Sequence, residues 1–340
     1  MKAAIFCWGS REIGLGHLTR SLAVAREFEW RGVDVEFFIN DYPVCVQKIQ
    51  LDRFPYQTFT NKREVPDLLG SSGSDFVLSD CNEATRSDIL AMAEILPVIN
   101  IAVQGPSKWY ASVSYLHSLY MDSEKPEDAC GVIYAGPEYT PLTGTFAQLH
   151  GQRHSTGPVR TILVSMGGGD AMGHTILAIQ ALKEVPDFAG EVVICLGAAF
   201  SDAPSVEREL VGFPHKHIIL QDVDDMASLM MQCDLALLSM GTTTYEACCL
   251  GLPSINLCPS AFHDNLANVY QERGVLVNFG IPSVDTVRDL AHKIHMLIRR
   301  DDLREALSKR AEECVDGQGI PRIVERIIET MGSGKRGLST

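Results

Sequence analysis

Residues 236–256, ALLSMGTTTYEACCLGLPSIN, constrain this chain more than any other stretch. An apolar run ends at Leu238, and Ser239 to Thr244 are small and mostly hydroxyl-bearing. Tyr245 to Leu250 then read as a helix until Gly251 and Pro253 stop it, and a second apolar run opens at Ile255. The order predicts strand, tight turn, helix, turn, strand, the repeating unit of a parallel α/β sheet. Such a turn presents backbone N–H groups with no helical partner at the positive end of a helix dipole, which is where anions bind. Ser239, Gly241, Thr242, Thr243 and Thr244 are therefore candidate anion-binding residues. Glu246, on the first turn of the helix, is placed to hydrogen-bond a ribose. Residues of these types also serve as plain helix caps, so the reading depends on the pattern recurring.

It recurs twice. Residues 2–8 (KAAIFCW) predict a first strand, residues 9–17 a glycine-rich loop with Gly14, Gly16 and His17, and Leu18, Leu22, Ala25 and Phe28 the apolar face of a helix ending before Gly32. Val33–Ile39 completes a βαβ unit, and ligands of open parallel sheets bind at the carboxyl ends of their strands. The loop is not the G-x-G-x-x-G dinucleotide fingerprint, so NAD is not expected. His17 falls between loop and helix. It is a candidate general base or a donor to a carbonyl or phosphate, and equally a residue type that caps or packs. Further on, Thr161–Met166 predicts a strand that runs into Gly167, Gly168, Gly169 and Asp170, followed by a helix over about 173–184.

Strands are expected at 55–59, 76–79, 98–103, 131–139, 191–196, 218–220 and 275–279. Helices are expected at 44–51, 82–96, 225–232, 264–273, 284–299 and 301–312, and residues 63–74 are expected to hold a short helix and a Gly/Ser loop. Residues 104–130 read as irregular and hold Trp109, Tyr110, Tyr115 and Tyr120. Residues 143–159 are polar and rich in small residues, and read as a linker. The fold class is α/β with two doubly wound Rossmann-like domains. Residues 1–150 form the first and 151–318 the second, with a closing helix over 319–332 and a flexible tail at 333–340. With 340 residues and 46% apolar composition, each half can bury a sizeable core.

Composition narrows the function. A net charge of −14 argues against wholesale nucleic-acid or anionic-membrane binding. No apolar run reaches the ~20 residues of a transmembrane helix, and the chain opens directly on a strand, so no leader peptide is expected. The ten cysteines are scattered without C-x-x-C or zinc spacing, which suits buried thiols in a cytoplasmic protein. No metal is expected. His150/His154 and His292/His295 have helical spacing but no further ligand cluster beside them.

Four segments then combine into a resemblance. G-L-G-H-L-T-R at 14–20, S-M-G-G-G-D at 165–170, S-M-G-T-T-T-Y-E-A-C-C-L-G-L-P at 239–253 and D-G-Q-G-I-P-R at 316–322 occur in that order. Over about residues 5–330 the chain resembles the MurG-like GT-B glycosyltransferase superfamily, most closely its PseG/SpsG branch. That branch holds a UDP-sugar hydrolase of pseudaminic acid synthesis and predicted spore-coat polysaccharide glycosyltransferases. The resemblance implies a GT-B fold with the domains facing each other across a cleft, a UDP-sugar as donor substrate and a sugar or water as acceptor, and no other cofactor. It implies that Gly167–Gly169 and Ser239–Thr244 wrap the diphosphate, that Glu246 holds the ribose, and that uracil lies against the backbone at about 218–225. His263, Asp264 and Asn265 would face the sugar and diphosphate, and the loop of Gly14, Gly16 and His17 the anomeric carbon. In the hydrolase the histidine of G-x-G-H is the proposed activator of water.

The chain departs from the hydrolase where that enzyme has a tyrosine two residues after Asp80, here Asn82, and an Asp-Asp pair, here Gln104-Gly105. The aromatic residues at 109–120 could build a different acceptor site or be ordinary surface or core residues. The expected function is a metal-independent glycosyltransferase of polysaccharide or glycoconjugate biosynthesis. A UDP-sugar hydrolase and an inactive nucleotide-sugar-binding protein are the alternatives. A UDP-sugar 2-epimerase lacks its expected acidic and histidine pattern, and the oligomeric state is not legible.

Overall fold

A computed structural model describes residues 1–10, 16–119, 125–153, 157–185 and 187–334. The chain divides into two compact units, residues 1–143 with 317–340 and residues 144–316.

The first unit runs β1 (Lys2–Cys7), α1 (Gly16–Trp30), β2 (Asp34–Asn40), α2 (Pro43–Leu51), β3 (Tyr56–Phe59), α3 (Val65–Ser72), β4 (Phe76–Asp80), α4 (Arg86–Ala93), β5 (Val98–Asn100), α5 (Ser107–Tyr110), β6 (Val113–Leu116) and β7 (Val132–Ala135). The strands form one parallel sheet in the order β3-β2-β1-β4-β5-β6-β7. Residues 3–7 of β1 are buried on both faces, as a central strand covered by helices on each side requires. Leu18, Leu22, Ala25 and Phe28 of α1 are all buried, as their spacing predicts, and Gly32 (φ +76°) turns the chain after the helix.

The second unit runs α6 (Gly144–Leu149), β8 (Thr161–Ser165), α7 (His174–Lys183), β9 (Glu191–Leu196), α8 (Ala203–Glu209), β10 (Lys216–Gln221), α9 (Met226–Met231), β11 (Leu235–Ser239), α10 (Thr242–Cys249), β12 (Ser254–Leu257), α11 (Ala261–Glu272), β13 (Val277–Gly280), α12 (Val287–Arg299) and α13 (Asp301–Cys314). Its parallel sheet has the order β10-β9-β8-β11-β12-β13. In both sheets strand order reverses beside the first strand, at β1/β4 and at β8/β11. Such a reversal opens a crevice at the strands' carboxyl ends.

The closing helix is longer than expected, α14 (Gly319–Gly334), and belongs to the first unit. Ile320, Ile323, Val324 and Ile327 are buried in one cluster with Leu22 and Phe28 of α1, each worth about 2 kcal/mol of removed apolar surface. A Cβ on Gly319 would stand 2.0 Å from the Thr140 carbonyl oxygen, so only glycine lets the backbone pass there.

Three expectations differ from the structure. The polar stretch at 143–159 contains α6, and Arg153 donates to the Leu250 and Cys233 carbonyls at 2.7 and 2.6 Å. The burial of Phe146 anchors a helix too short for periodicity to announce. The region 104–130 holds α5 and β6, whose four residues are fewer than a pattern search needs. Trp109, Tyr110 and Tyr115 are 5%, 7% and 2% exposed and belong to the core, so they do not form an acceptor surface. Tyr120 lies outside the described residues.

Candidate functional site

In the first unit, His17 is the second residue of α1 and Asp80 ends β4, on either side of the β1/β4 reversal. His17 is 5% exposed and Asp80 fully buried. The imidazole Nδ1 lies 2.6 Å from Asp80 Oδ1. Arg20, one helical turn after His17, donates from Nε to Asp80 Oδ2 at 3.0 Å and from Nη2 to Oδ1 at 2.7 Å. Burial pushes the Asp80 carboxyl up, and the Arg20 and His17 charges and hydrogen bonds outweigh it, holding the group well below the ordinary carboxylate range. Asn40 fixes the start of the loop, accepting from the Gly9 N–H at 3.0 Å and donating to the Gly9 carbonyl at 2.8 Å. Gly16 is the first residue of α1, and a Cβ there would meet nothing within 4 Å. Gly14 lies outside the described residues.

His117 was not a candidate from sequence, because β6, which it follows, was not expected. It is 8% exposed and close enough to Arg20, Asp80 and His17 to feel their charges. Burial, aided by Arg20, lowers its pKa to about 3 and keeps it neutral. The sequence signal was present in Val113–Leu116, a short apolar-rich run before a histidine. Asn82, after Asp80, accepts from the Gln104 N–H at 3.2 Å, and a Cβ on Gly105 (φ +81°) would stand 2.3 Å from the Asn82 carbonyl oxygen. The two departures from the hydrolase pattern thus clasp each other.

In the second unit the candidate residues leave the carboxyl ends of three neighbouring strands, β8, β11 and β12. The turn after β8 is packed: a Cβ on Gly197 would lie 2.4 Å from the carbonyl oxygens of Gly167 and Gly168. Asp170 then folds its own carboxylate onto the helix end, accepting from the N–H groups of His174 and Thr175, both at 2.8 Å. The positive end of α7 already holds an anion. Gly167, Gly168 and Gly169 keep an accessible backbone beside it.

The turn after β11 is different. Gly241 is extended (φ 173°) and precedes α10. Of the three threonine hydroxyls, that of Thr244 is engaged inside the fold, donating to Asn256 Oδ1 at 2.6 Å, and Thr244 is 1% exposed. Ser239, Thr242 and Thr243 remain partly accessible. The hydroxyls of Thr242 and Thr243 make no hydrogen bond to the described residues, and neither does the Glu246 carboxylate. Desolvation alone raises the Glu246 pKa to about 7. A buried carboxylate raised in this way, one turn from N–H groups that no residue of the fold engages, marks α10 as a candidate binding site.

His263, Asp264 and Asn265 lie in the first turn of α11. His263 Nδ1 is 2.8 Å from Ser260 Oγ, and burial lowers its pKa. Asp264 accepts from Asn278 Nδ2 at 2.7 Å and so braces β13. Asn265 is exposed. Asp222, in the stretch expected to carry the base, adopts φ +52° just past β10. Among the described residues, no group of three or more His, Cys, Asp or Glu could hold a metal ion, and no helix is long and apolar enough to cross a membrane.

No family model matches the chain. It is 25% identical to the spore coat polysaccharide biosynthesis protein SpsG of Bacillus subtilis, over 95% of this chain and 96% of that protein. Among solved structures, MurG of Acinetobacter baumannii superposes with a TM-score of 0.72 at 15% identity, covering 97% of this chain and all of that one. Anabaena HepE, solved in complex with UDP-glucose, superposes with a TM-score of 0.65 at 15% identity, over 96% and 99% of the two chains. The resemblance read from the motifs holds: the chain has the GT-B fold of MurG and is similar to SpsG over nearly its whole length.

Proposed function

We propose that the chain is a UDP-sugar glycosyltransferase of polysaccharide biosynthesis, with the second unit holding the nucleotide and the first supplying the base. The observation that carries the reading is α10: bare N–H groups at Thr242 and Thr243 suit a diphosphate, and the unpaired Glu246 carboxylate suits a ribose diol. The similarity to SpsG and the UDP-glucose held by HepE, a protein of the same fold, support a sugar nucleotide as the ligand.

In the proposed reaction an acceptor hydroxyl gives its proton to His17 Nε2 while its oxygen bonds to the anomeric carbon. The bond from that carbon to the β-phosphate oxygen breaks, and UDP leaves with the electron pair. His17 is suited to the task because Asp80 engages Nδ1 at 2.6 Å and leaves Nε2 for the acceptor. The developing charge on UDP falls on the N-terminus of α10, so backbone N–H groups rather than a metal ion stabilise it in this mechanism. His263 and the backbone of Gly167–Gly169 are the remaining groups assigned to the diphosphate side. Asp170 already fills the end of α7, which leaves α10 as the main phosphate anchor.

Water in the acceptor's place would make the chain a hydrolase with the same base. The Asn82–Gln104 clasp stands where that enzyme carries other side chains, and for that reason the transferase reading is preferred. Calorimetric titration with UDP tests the site first, with binding in the micromolar range expected. UDP release from a panel of UDP-sugars then separates the two reactions: slow release without acceptor is expected, and brisk release would make water the acceptor. Absence of binding to any nucleoside diphosphate would remove the reading.

A further inference from the structure

Arg20 and His17 stand one turn apart on the same face of α1, and both reach the carboxylate of Asp80, 60 and 63 positions later in the sequence. The two contacts at His17 Nδ1 decide where its proton lies. Asp80 Oδ1 is 2.6 Å away and Arg20 Nη2 is 2.9 Å away. A bare Nδ1 would place two lone pairs at 2.6 Å, one of them on an anion, whereas a protonated Nδ1 makes a charge-assisted hydrogen bond there. Arg20 Nη2 has its own acceptor, Asp80 Oδ1 at 2.7 Å, and needs nothing from the ring. The proton therefore sits on Nδ1.

Around this ring the charges nearly cancel. Asp80 from β4 brings one negative charge and Arg20 from α1 one positive charge. His117 after β6 is kept neutral by burial and Arg20, and burial raises the Cys7 thiol of β1 so that it too stays neutral. Arg20, its side chain 12% exposed, engages both carboxylate oxygens and so fixes Asp80 against the ring.

We propose that Arg20 is a positioning residue for His17: it clamps both oxygens of Asp80, so that the ring proton stays on Nδ1 and Nε2 is left for the acceptor. This rests on the reading of His17 as the base, but its test does not need turnover.

The test follows the ring nitrogens of His17 by NMR in the full, 15N-labelled chain over a pH series, for wild type and for Arg20→Met, Arg20→Lys and Asp80→Asn. The wild-type neutral ring is expected to carry its proton on Nδ1. Arg20→Met leaves the Asp80 carboxylate unclamped, and the neutral ring should then share its proton between Nδ1 and Nε2. Asp80→Asn, which removes the anion facing Nδ1, should weaken the preference for Nδ1 as well. Arg20→Lys can still donate to Asp80 and should keep the proton on Nδ1. A purely structural Arg20 would make the Met and Lys variants alike, and that result overturns the proposal, as does a wild-type proton on Nε2. If Arg20→Met fails to fold by circular dichroism, Arg20→Gln, which keeps a donor but not the clamp on both oxygens, takes its place, and an unchanged Nδ1 tautomer in it overturns the proposal. Failure of every UDP-sugar to turn over would remove the functional reading while leaving these ring signals as they are.

Discussion

The two sheets reverse strand order at corresponding places, yet they equip the two crevices in opposite ways. At β1/β4 the polar groups find one another: Asp80 satisfies both His17 and Arg20, and the cluster is nearly neutral and buried. At β8/β11 the backbone does the presenting. One helix end is filled by Asp170, and the other, at α10, stands open above a carboxylate raised to about 7 by burial alone. The difference fits the roles proposed for the two places. A base has to be held in one orientation before substrate arrives, and at β1/β4 the partners are built in. A nucleotide site needs donors and acceptors that the fold itself does not use, and these stand at α10.

Four substitutions break or sharpen this comparison. The largest effect is expected from His17→Ala, which should lower kcat/KM by about 10²–10⁴-fold while UDP affinity stays unchanged. Retention of the full rate would end the assignment of His17 as base. Next is Asp80→Ala, which leaves a largely buried guanidinium, its side chain 12% exposed, without its anion and should cost roughly 3 kcal/mol of stability in urea unfolding. The sign with pH follows from the lowered carboxyl. Asp80 stabilises the fold above its ordinary value of about 4, and that contribution is lost as pH falls below it.

Glu246→Gln should behave in the opposite way. A carboxyl raised to about 7 gives its most favourable contribution below its ordinary value, and the fold weakens as pH rises from there to about 7, by on the order of 2 kcal/mol. The glutamine variant should therefore unfold at higher urea than wild type at pH 8, yet bind UDP about 1–3 kcal/mol more weakly. Wild-type affinity should climb with pH toward about 7 more steeply than that of the variant. Equal affinities in the two proteins would show that Glu246 does not hold the nucleotide. The smallest effect is expected from Asp170→Ala, about 1 kcal/mol of stability for a lost helix cap. UDP affinity in that variant should hold or rise slightly. A large fall would mean that the end of α7, and not that of α10, anchors the phosphates.

The elements themselves were legible because their signals are local. Apolar spacing in α1, the glycine turns at 167–170 and 239–241, and the stops at Gly32 and Gly251 each lie within one turn or one strand. Short pieces were missed for the same reason: α6, α8 and β6 hold too few residues for a period to show, and packing rather than pattern keeps them in place. His117 was missed along with β6.

From the sequence alone followed the fold class, the order of the elements, and the placing of His17 and Glu246 where βα turns meet helices. Tertiary structure decided what each polar group meets. Asp80 belongs to His17, Thr244 to Asn256, Asp264 to Asn278, and Asp170 to the helix it precedes. Three of the four pairings join residues on different elements. Periodicity and turn chemistry act between neighbours along the chain, whereas a buried hydrogen bond is settled by whichever partner the packed strands bring within 3 Å.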